Sequence, residues 1–195
     1  MCGIIGFTGR KQATEILLRG LEALEYRGYD SAGISVMTKD GPVTVKRPGR
    51  VAELCSVVAE RGGIEGTCGI GHTRWATHGK PSEANAHPHI SNTLVLVHNG
   101  IIENYLDLRR ELTAAGYTDT ECAAHLIDMI YREVHDPIAA VRTAVTKLTG
   151  SYAFGIIFSD RPDEIYATRR DSPLIAAHTE DGSYIASDIP AGADR

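Results

Sequence analysis

No apolar run in this 195-residue sequence approaches the length needed to cross a bilayer. Its longest apolar stretches, 93–97 and 153–158, fall far short of the roughly 20 residues a spanning helix requires. A secretory leader is not expected either: the opening apolar run of about six residues precedes Arg10 and Lys11, the wrong order and length for an export signal. Basic residues are outnumbered, 20 Lys and Arg against 25 Asp and Glu, giving a net charge of -5. No basic block interleaves with aromatics, so nucleic-acid binding is disfavoured. Cysteine is sparse and scattered: Cys2, Cys55, Cys68 and Cys122 show no CxxC spacing, which leaves neither a zinc ribbon nor a thioredoxin-type pair. Repeats and low-complexity segments are also wanting. With 43% hydrophobic and 23% charged residues, the composition is that of one soluble globular domain, expected in the cytoplasm, where its thiols stay reduced. Cys55 and Cys122 fall in helical patterns and Cys68 in a strand, where packing roles are expected.

Hydrophobic periodicity predicts the order of elements. Residues 2–8 read as a strand, and 13–25 as a helix with Ile16, Leu17, Leu21 and Leu24 on one face. Residues 32–37 and 43–46 read as a hairpin with a loop longer than the tightest turns allow. A helix over 51–61 stops at Gly62-Gly63. Strands follow at 67–72 and 93–98. Between them, 73–91 has no apolar period yet holds Arg74, Trp75, His78, His87 and His89, a long polar loop of the kind that carries function. Three helical patterns cover 104–115, 120–134 and 137–148, with Asp119 and Asp136-Pro137 as helix starts. Four short strands at 152–159, 164–169, 174–178 and 183–187 read as an antiparallel meander. Strands at both ends and helices between predict an α+β domain of two packed antiparallel sheets with helices outside.

Chemistry concentrates in a few polar positions. Cys2 becomes the N-terminus if Met1 is removed, and its α-amine, with a pKa near ~8, can then serve as base for the thiol of the same residue. A thiolate attacking an amide needs oxyanion donors. Asn99-Gly100, at the end of a strand, offers a side-chain amide and a glycine whose backbone N–H can approach a ligand closely, although the same dipeptide is also a turn signal. Arg74 can grip a carboxylate through two hydrogen bonds, and Thr77 and His78 add donors. Trp75, the single tryptophan, reads alternatively as a core anchor. Asp119 suits a substrate α-amine or a helix cap. The histidines His72, His78, His87, His89 and His98 have no acidic or thiol partner at a recognised ligand spacing, so no metal is expected.

The ordered motifs Cys2-Gly3-Ile4-Ile5-Gly6, Glu25-Tyr26-Arg27-Gly28-Tyr29-Asp30-Ser31-Ala32-Gly33, His72 to Gly79, Asn85-Ala86-His87-Pro88-His89 and His98-Asn99-Gly100-Ile101-Ile102-Glu103-Asn104 resemble the class II glutamine amidotransferase family. Within it, the second and third runs are similar to the glutaminase domains joined to sugar-phosphate isomerase domains in glutamine:fructose-6-phosphate aminotransferases. The resemblance implies an Ntn-hydrolase four-layer αββα sandwich over 1–195, with a C-terminal shortening and the isomerase domains lying outside this sequence. It implies L-glutamine as substrate, Cys2 as nucleophile, a γ-glutamyl thioester, and Asn99 and Gly100 as oxyanion donors. Arg74, Thr77 and His78 would hold the α-carboxylate, and Asp119 with Gly100 the α-amine. The loop 74–80 would close with Trp75 at the ammonia path. No cofactor is implied, and the full-length enzyme would be a homo-oligomer. A glutamine-binding module without turnover, or the glutaminase domain of another class II amidotransferase, are the alternatives.

Overall fold

The computed structural model describes residues 2–75, 82–112 and 118–189. In chain order its elements are β1 (Gly3–Gly9), α1 (Ala13–Leu24), β2 (Ser31–Thr38), β3 (Gly41–Pro48), α2 (Val51–Glu60), β4 (Cys68–Arg74), β5 (His89–Ile90), β6 (Leu94–Ile102), α3 (Tyr105–Glu111), α4 (Asp119–Val134), α5 (Pro137–Thr146), β7 (Gly150–Phe158), β8 (Tyr166–Arg170), β9 (Ile175–His178) and β10 (Gly182–Ala186). A short 3₁₀ turn, Glu25–Arg27, ends the first helical segment. One sheet has the order β3-β2-β4-β1-β10-β9 and the other β5-β6-β7-β8, with antiparallel pairing throughout.

Side-chain alternation divides the core into three slabs. From β1, Ile5 and Phe7 point toward α1 and α2, where they meet Leu17, Leu21, Leu24 and Leu54. Their neighbour Ile4 points the other way, into a layer with Ile70, Val95, Val97, Ala153 and Ile157. In β6 and β7 the complementary residues Leu94, Leu96, Phe154, Ile156 and Phe158 pack under Leu126, Ile127, Ile130 and Ala140. The period-2 alternation of a strand therefore buries both faces of the central strands, and the αββα layering of the resemblance is present. Each fully buried Leu, Ile or Phe contributes about 1.5–3 kcal/mol, which makes the sheet-on-sheet layer the scaffold that fixes the strand ends.

The structure corrects several expectations. β2 and β3 pair as far as Thr38 opposite Gly41, so the hairpin is closed by Lys39-Asp40 alone. It is tight, because Gly41 takes a φ of 109° that allows immediate re-entry into the ladder. The last four strands form no single meander. β8 pairs with β7 and β9 with β10 in the other sheet, because Ala186 and its neighbours are claimed by β1. Within the polar stretch after residue 72, β4 runs on through Arg74, and β5 begins at His89 after a cis His87–Pro88 bond. Asp119 does not cap α4. Thr118 does, accepting from Glu121 N while the Glu121 carboxylate accepts from Thr118 N, a reciprocal capping box. The predicted start of α5 is borne out: the Asp136 side chain accepts from Ala139 N at 2.9 Å, with Pro137 next.

Candidate active site

The sheet order places β1 beside β4, and the two sheets face each other, so that Cys2, just before β1, sits near the ends of β4 and β6. The Asn99 amide nitrogen donates to the Cys2 carbonyl at 3.0 Å. The Trp75 N–H points at the Cys2 sulfur at 3.4 Å. Cys2 and Trp75 open onto a cleft of about 470 Å³ lined also by Arg74, Gly100, Tyr105 and Asp119, among others. Five of the predicted site residues other than Cys2 are thus described: Asn99 behind the cysteine, and Arg74, Trp75, Gly100 and Asp119 on the cleft wall. Thr77 and His78 lie outside the described residues.

Each of these positions has a local cause. Gly100 adopts a φ of 126°, and a Cβ there would lie 2.1 Å from the Ser151 carbonyl oxygen. Only glycine fits such backbone. Asp119 opens α4 and accepts from the backbone N–H of Thr120 at 2.9 Å and of Ile102 at 3.4 Å. Its carboxylate is thereby held at a helix N-terminus, half-exposed toward the cleft. Trp75 is 42% exposed and meets Tyr29 edge-on at 5.4 Å between centroids, so it stands at the rim and is not a core anchor. Gly28 lets the chain pass close beneath: a Cβ there would meet the Arg74 carbonyl carbon at 2.6 Å and the Trp75 nitrogen at 2.7 Å.

Charge and burial pull the cysteine in opposite directions. Burial pushes the Cys2 thiol up from its ordinary value, while the Trp75 backbone and the positive charges of Arg74 and Arg27 favour the thiolate. The net direction is upward, so deprotonation calls for a base. Arg27, buried at the end of the 3₁₀ turn, donates from Nε to the Cys2 carbonyl at 3.0 Å. Its Nη1 lies 3.2 Å from the Asp188 carboxylate, which also accepts from the Tyr26 hydroxyl. Next to it, Ser187 and Ile4 exchange hydrogen bonds, Ile4 N to Ser187 Oγ at 2.9 Å and Ser187 N to Ile4 O at 3.0 Å. The end of the described chain is thus tied to its beginning.

Behind Asn99 lies a buried group of imidazoles. His72 Nε2 is 3.0 Å from the His98 carbonyl and 3.1 Å from Asn99 Oδ1. The His72 and His87 rings lie 4.0 Å apart, and His87 contacts His89 at 4.6 Å. Burial holds His72 down to about 3, and His98 to about 4 despite the opposing pull of Asp119. At the edge of the group, burial alone would raise the Glu121 carboxyl, but hydrogen bonds from His89 and Thr118 win and hold it at about 2. Among the described residues no three His, Cys, Asp or Glu side chains are arranged to hold a metal ion.

Three residues at the heart of this arrangement received no role from the sequence. Arg27 sat inside a recognisable polar run, and His72 opened another, so a signal existed for both. Asp188, beyond the last strand, gave none.

Comparison with known proteins places the chain in a family. A family model described as a glutamine amidotransferase domain matches residues 72–192. The chain is 51% identical over 199 residues to the glutamine–fructose-6-phosphate aminotransferase (isomerizing) of Clostridium acetobutylicum, covering 98% of this chain and 32% of that protein. It therefore spans about a third of the length of such relatives. Among solved structures, the glutamine phosphoribosylpyrophosphate amidotransferase from B. subtilis, complexed with ADP and GMP, superposes with a TM-score of 0.79 at 29% identity, over 97% of this chain and 42% of that one. The allosteric regulatory enzyme of purine biosynthesis gives a TM-score of 0.83 at the same identity and coverage.

Proposed function

Since this chain belongs to the glutamine amidotransferase domain family, we propose that it hydrolyses L-glutamine to glutamate and ammonia with Cys2 as nucleophile. The observation that supports this reading is the direct hydrogen bond from the Asn99 amide to the Cys2 backbone, which ties the proposed oxyanion donor to the residue that carries the thiol. Removal of Met1 frees the Cys2 α-amine, which takes the thiol proton as sulfur attacks the side-chain amide carbon. The tetrahedral oxyanion is stabilised by Asn99 Nδ2 and the Gly100 N–H. Collapse of the intermediate breaks the C–N bond, the α-ammonium returns the proton to the leaving amine, and a γ-glutamyl thioester remains. Water, deprotonated by the same amine, then releases glutamate.

Arg74, with Thr77 and His78, holds the substrate α-carboxylate in this reading, and Asp119 with Gly100 holds its α-amine. Arg74 and Asp119 line the same cleft, and their opposite charges suit the two ends of an amino acid. In this reading ammonia would pass Trp75 to sugar-phosphate isomerase domains that make glucosamine 6-phosphate, a role supported by relatives named as isomerizing glutamine–fructose-6-phosphate aminotransferases. Trp75 and Ile101, exposed at the cleft, are the apolar surface such domains would cover.

The decisive experiment combines intact mass with a glutaminase assay. The expected result is a chain lacking Met1 that releases ammonia from glutamine, and a Cys2→Ala variant that releases none. A processed chain that binds glutamine without turnover would replace this reading with that of a silent binding module.

A further inference from the structure

The proposed chemistry uses Asn99 but leaves open what holds its carboxamide the right way round. An amide rotated by half a turn would present Oδ1 to the reaction and repel the oxyanion it should stabilise. Backbone groups settle the matter, since their polarity is fixed. The His98 carbonyl can only accept, and His72 Nε2 stands 3.0 Å from it, so Nε2 carries the hydrogen. The same N–H reaches the Asn99 side chain at 3.1 Å, where only an oxygen can receive it. Nδ2 must then face the Cys2 carbonyl, itself an acceptor, at 3.0 Å. Both ends of the amide agree.

The ring packed against His72 is fixed by the same backbone residue. The His98 N–H can only donate, and it points at His87 Nδ1 at 3.4 Å. His87 therefore carries its hydrogen on Nε2, directed at Thr120 Oγ1 at 3.3 Å. One backbone residue thus sets two rings: its carbonyl orients His72 and its N–H orients His87. The two rings pack against each other in the interior, with His72 1% exposed, so neither turns without moving the other.

We propose that His72 is a positioning residue whose Nε2–H locks the Asn99 carboxamide with Nδ2 toward Cys2, keeping its second hydrogen for the oxyanion. The proposal rests on the reading of Asn99 as an oxyanion donor. It distinguishes His72 from the general base, because a nitrogen that already shares its hydrogen between two acceptors has no proton to exchange with substrate.

Two near-isosteric variants test it. Glutamine at 72 can present an N–H where Nε2 now lies, and methionine cannot. His72→Met is expected to lower kcat about 100-fold, the scale of losing one oxyanion donor, with KM for glutamine changed by less than about threefold. His72→Gln should recover kcat to within about tenfold of the parent chain. Alkylation of Cys2 by iodoacetamide, a displacement that develops no oxyanion, should proceed at the parental rate in both variants. In an Asn99→Ala background, His72→Met should cost nothing further. The proposal is overturned by a His72→Met chain at full kcat, by a glutamine variant as poor as the methionine one, by alkylation that falls in step with kcat, or by additive losses in the double variant. The parent chain and Cys2→Ala are assayed alongside: no turnover by the parent defeats the glutaminase reading itself, whereas normal turnover in both parent and His72→Met defeats only the role of His72.

Discussion

Cys2 and Asn99 are one hydrogen bond apart, yet they are held by opposite kinds of environment. Around Cys2 the partners are charged: the buried Arg27, the half-buried Arg74 and, through Arg27, the solvent-contacting Asp188 carboxylate. Around Asn99 they are neutral and enclosed: His72, His98 and their neighbour His87. Charge in solvent contact responds to salt, pH and docking partners. A closed network of neutral hydrogen bonds does not, because breaking any member strands a buried polar group. The nucleophile is therefore the adjustable half of the site and the oxyanion donor the rigid half.

Four changes would break or sharpen that contrast. The largest effect is expected on the nucleophile: Cys2→Ala should bring ammonia release to background, a loss of at least ~10³-fold, with a thermal midpoint close to the parent's. Next comes the rigid half, where Asn99→Ala should lower kcat by about 10²–10³-fold, read from steady-state glutamate release. Gly100→Ala strikes the backbone of the same half. With a φ of 126° and a Cβ 2.1 Å from the Ser151 oxygen, it should destabilise the fold by about 2–4 kcal/mol, measured by urea unfolding. The smallest effect belongs to the charged half: Asp188→Asn keeps a hydrogen-bonding side chain beside Arg27 and removes a charge that is in contact with solvent, so kcat should change by about threefold or less. A drop in the double-digit range would show that the charged half is as rigid as the other.

The two halves should also differ in their response to acid. His72 and His98 titrate near 3 and 4 in the fold but near ~6.5 in an unfolded chain. The unfolded state therefore binds more protons between about pH 6.5 and 4, and stability should rise with pH across that window and level off above it. Replacing His72 with Gln should remove about one proton from that slope in pH-dependent urea titrations. Asp188 behaves differently. Its carboxyl is held below the usual range, first by the Tyr26 hydroxyl, so its contribution is complete above the unfolded carboxylate pKa near ~3.9 and fades only at more acid pH.

Much of this could be read before any coordinates. Thr93, Leu94, Val95, Leu96 and Val97 announce a strand buried on both faces, and Leu126, Ile127 and Ile130 a helix face, because alternation of 2 and 3.6 is local. Cys2, Arg74, Asn99 and Asp119 were singled out by residue type. What escaped was either pairing or capping. The segment 174–187 shows strands but not that they leave their neighbours for the other sheet. Thr118 and Asp119 both suit a helix cap, and only the reciprocal bond with Glu121 decides for Thr118. Arg27 stood in a conspicuous run without its partner being visible, since Asp188 lies 161 residues away.

The sequence by itself determined the layered α+β class, the ordered motifs and the thiol at position 2, because each depends on neighbouring residues or on a pattern repeated along one element. Only the tertiary structure decided that β1 lies between β4 and β10, which gathers Cys2, Arg27, His72, Asn99 and Asp188 into one place. Many strand orders satisfy the same alternation, and long-range pairing alone selects among them. The orientation of the Asn99 amide is of the same kind: it is set by donors and acceptors from residues that only folding brings within 3.1 Å.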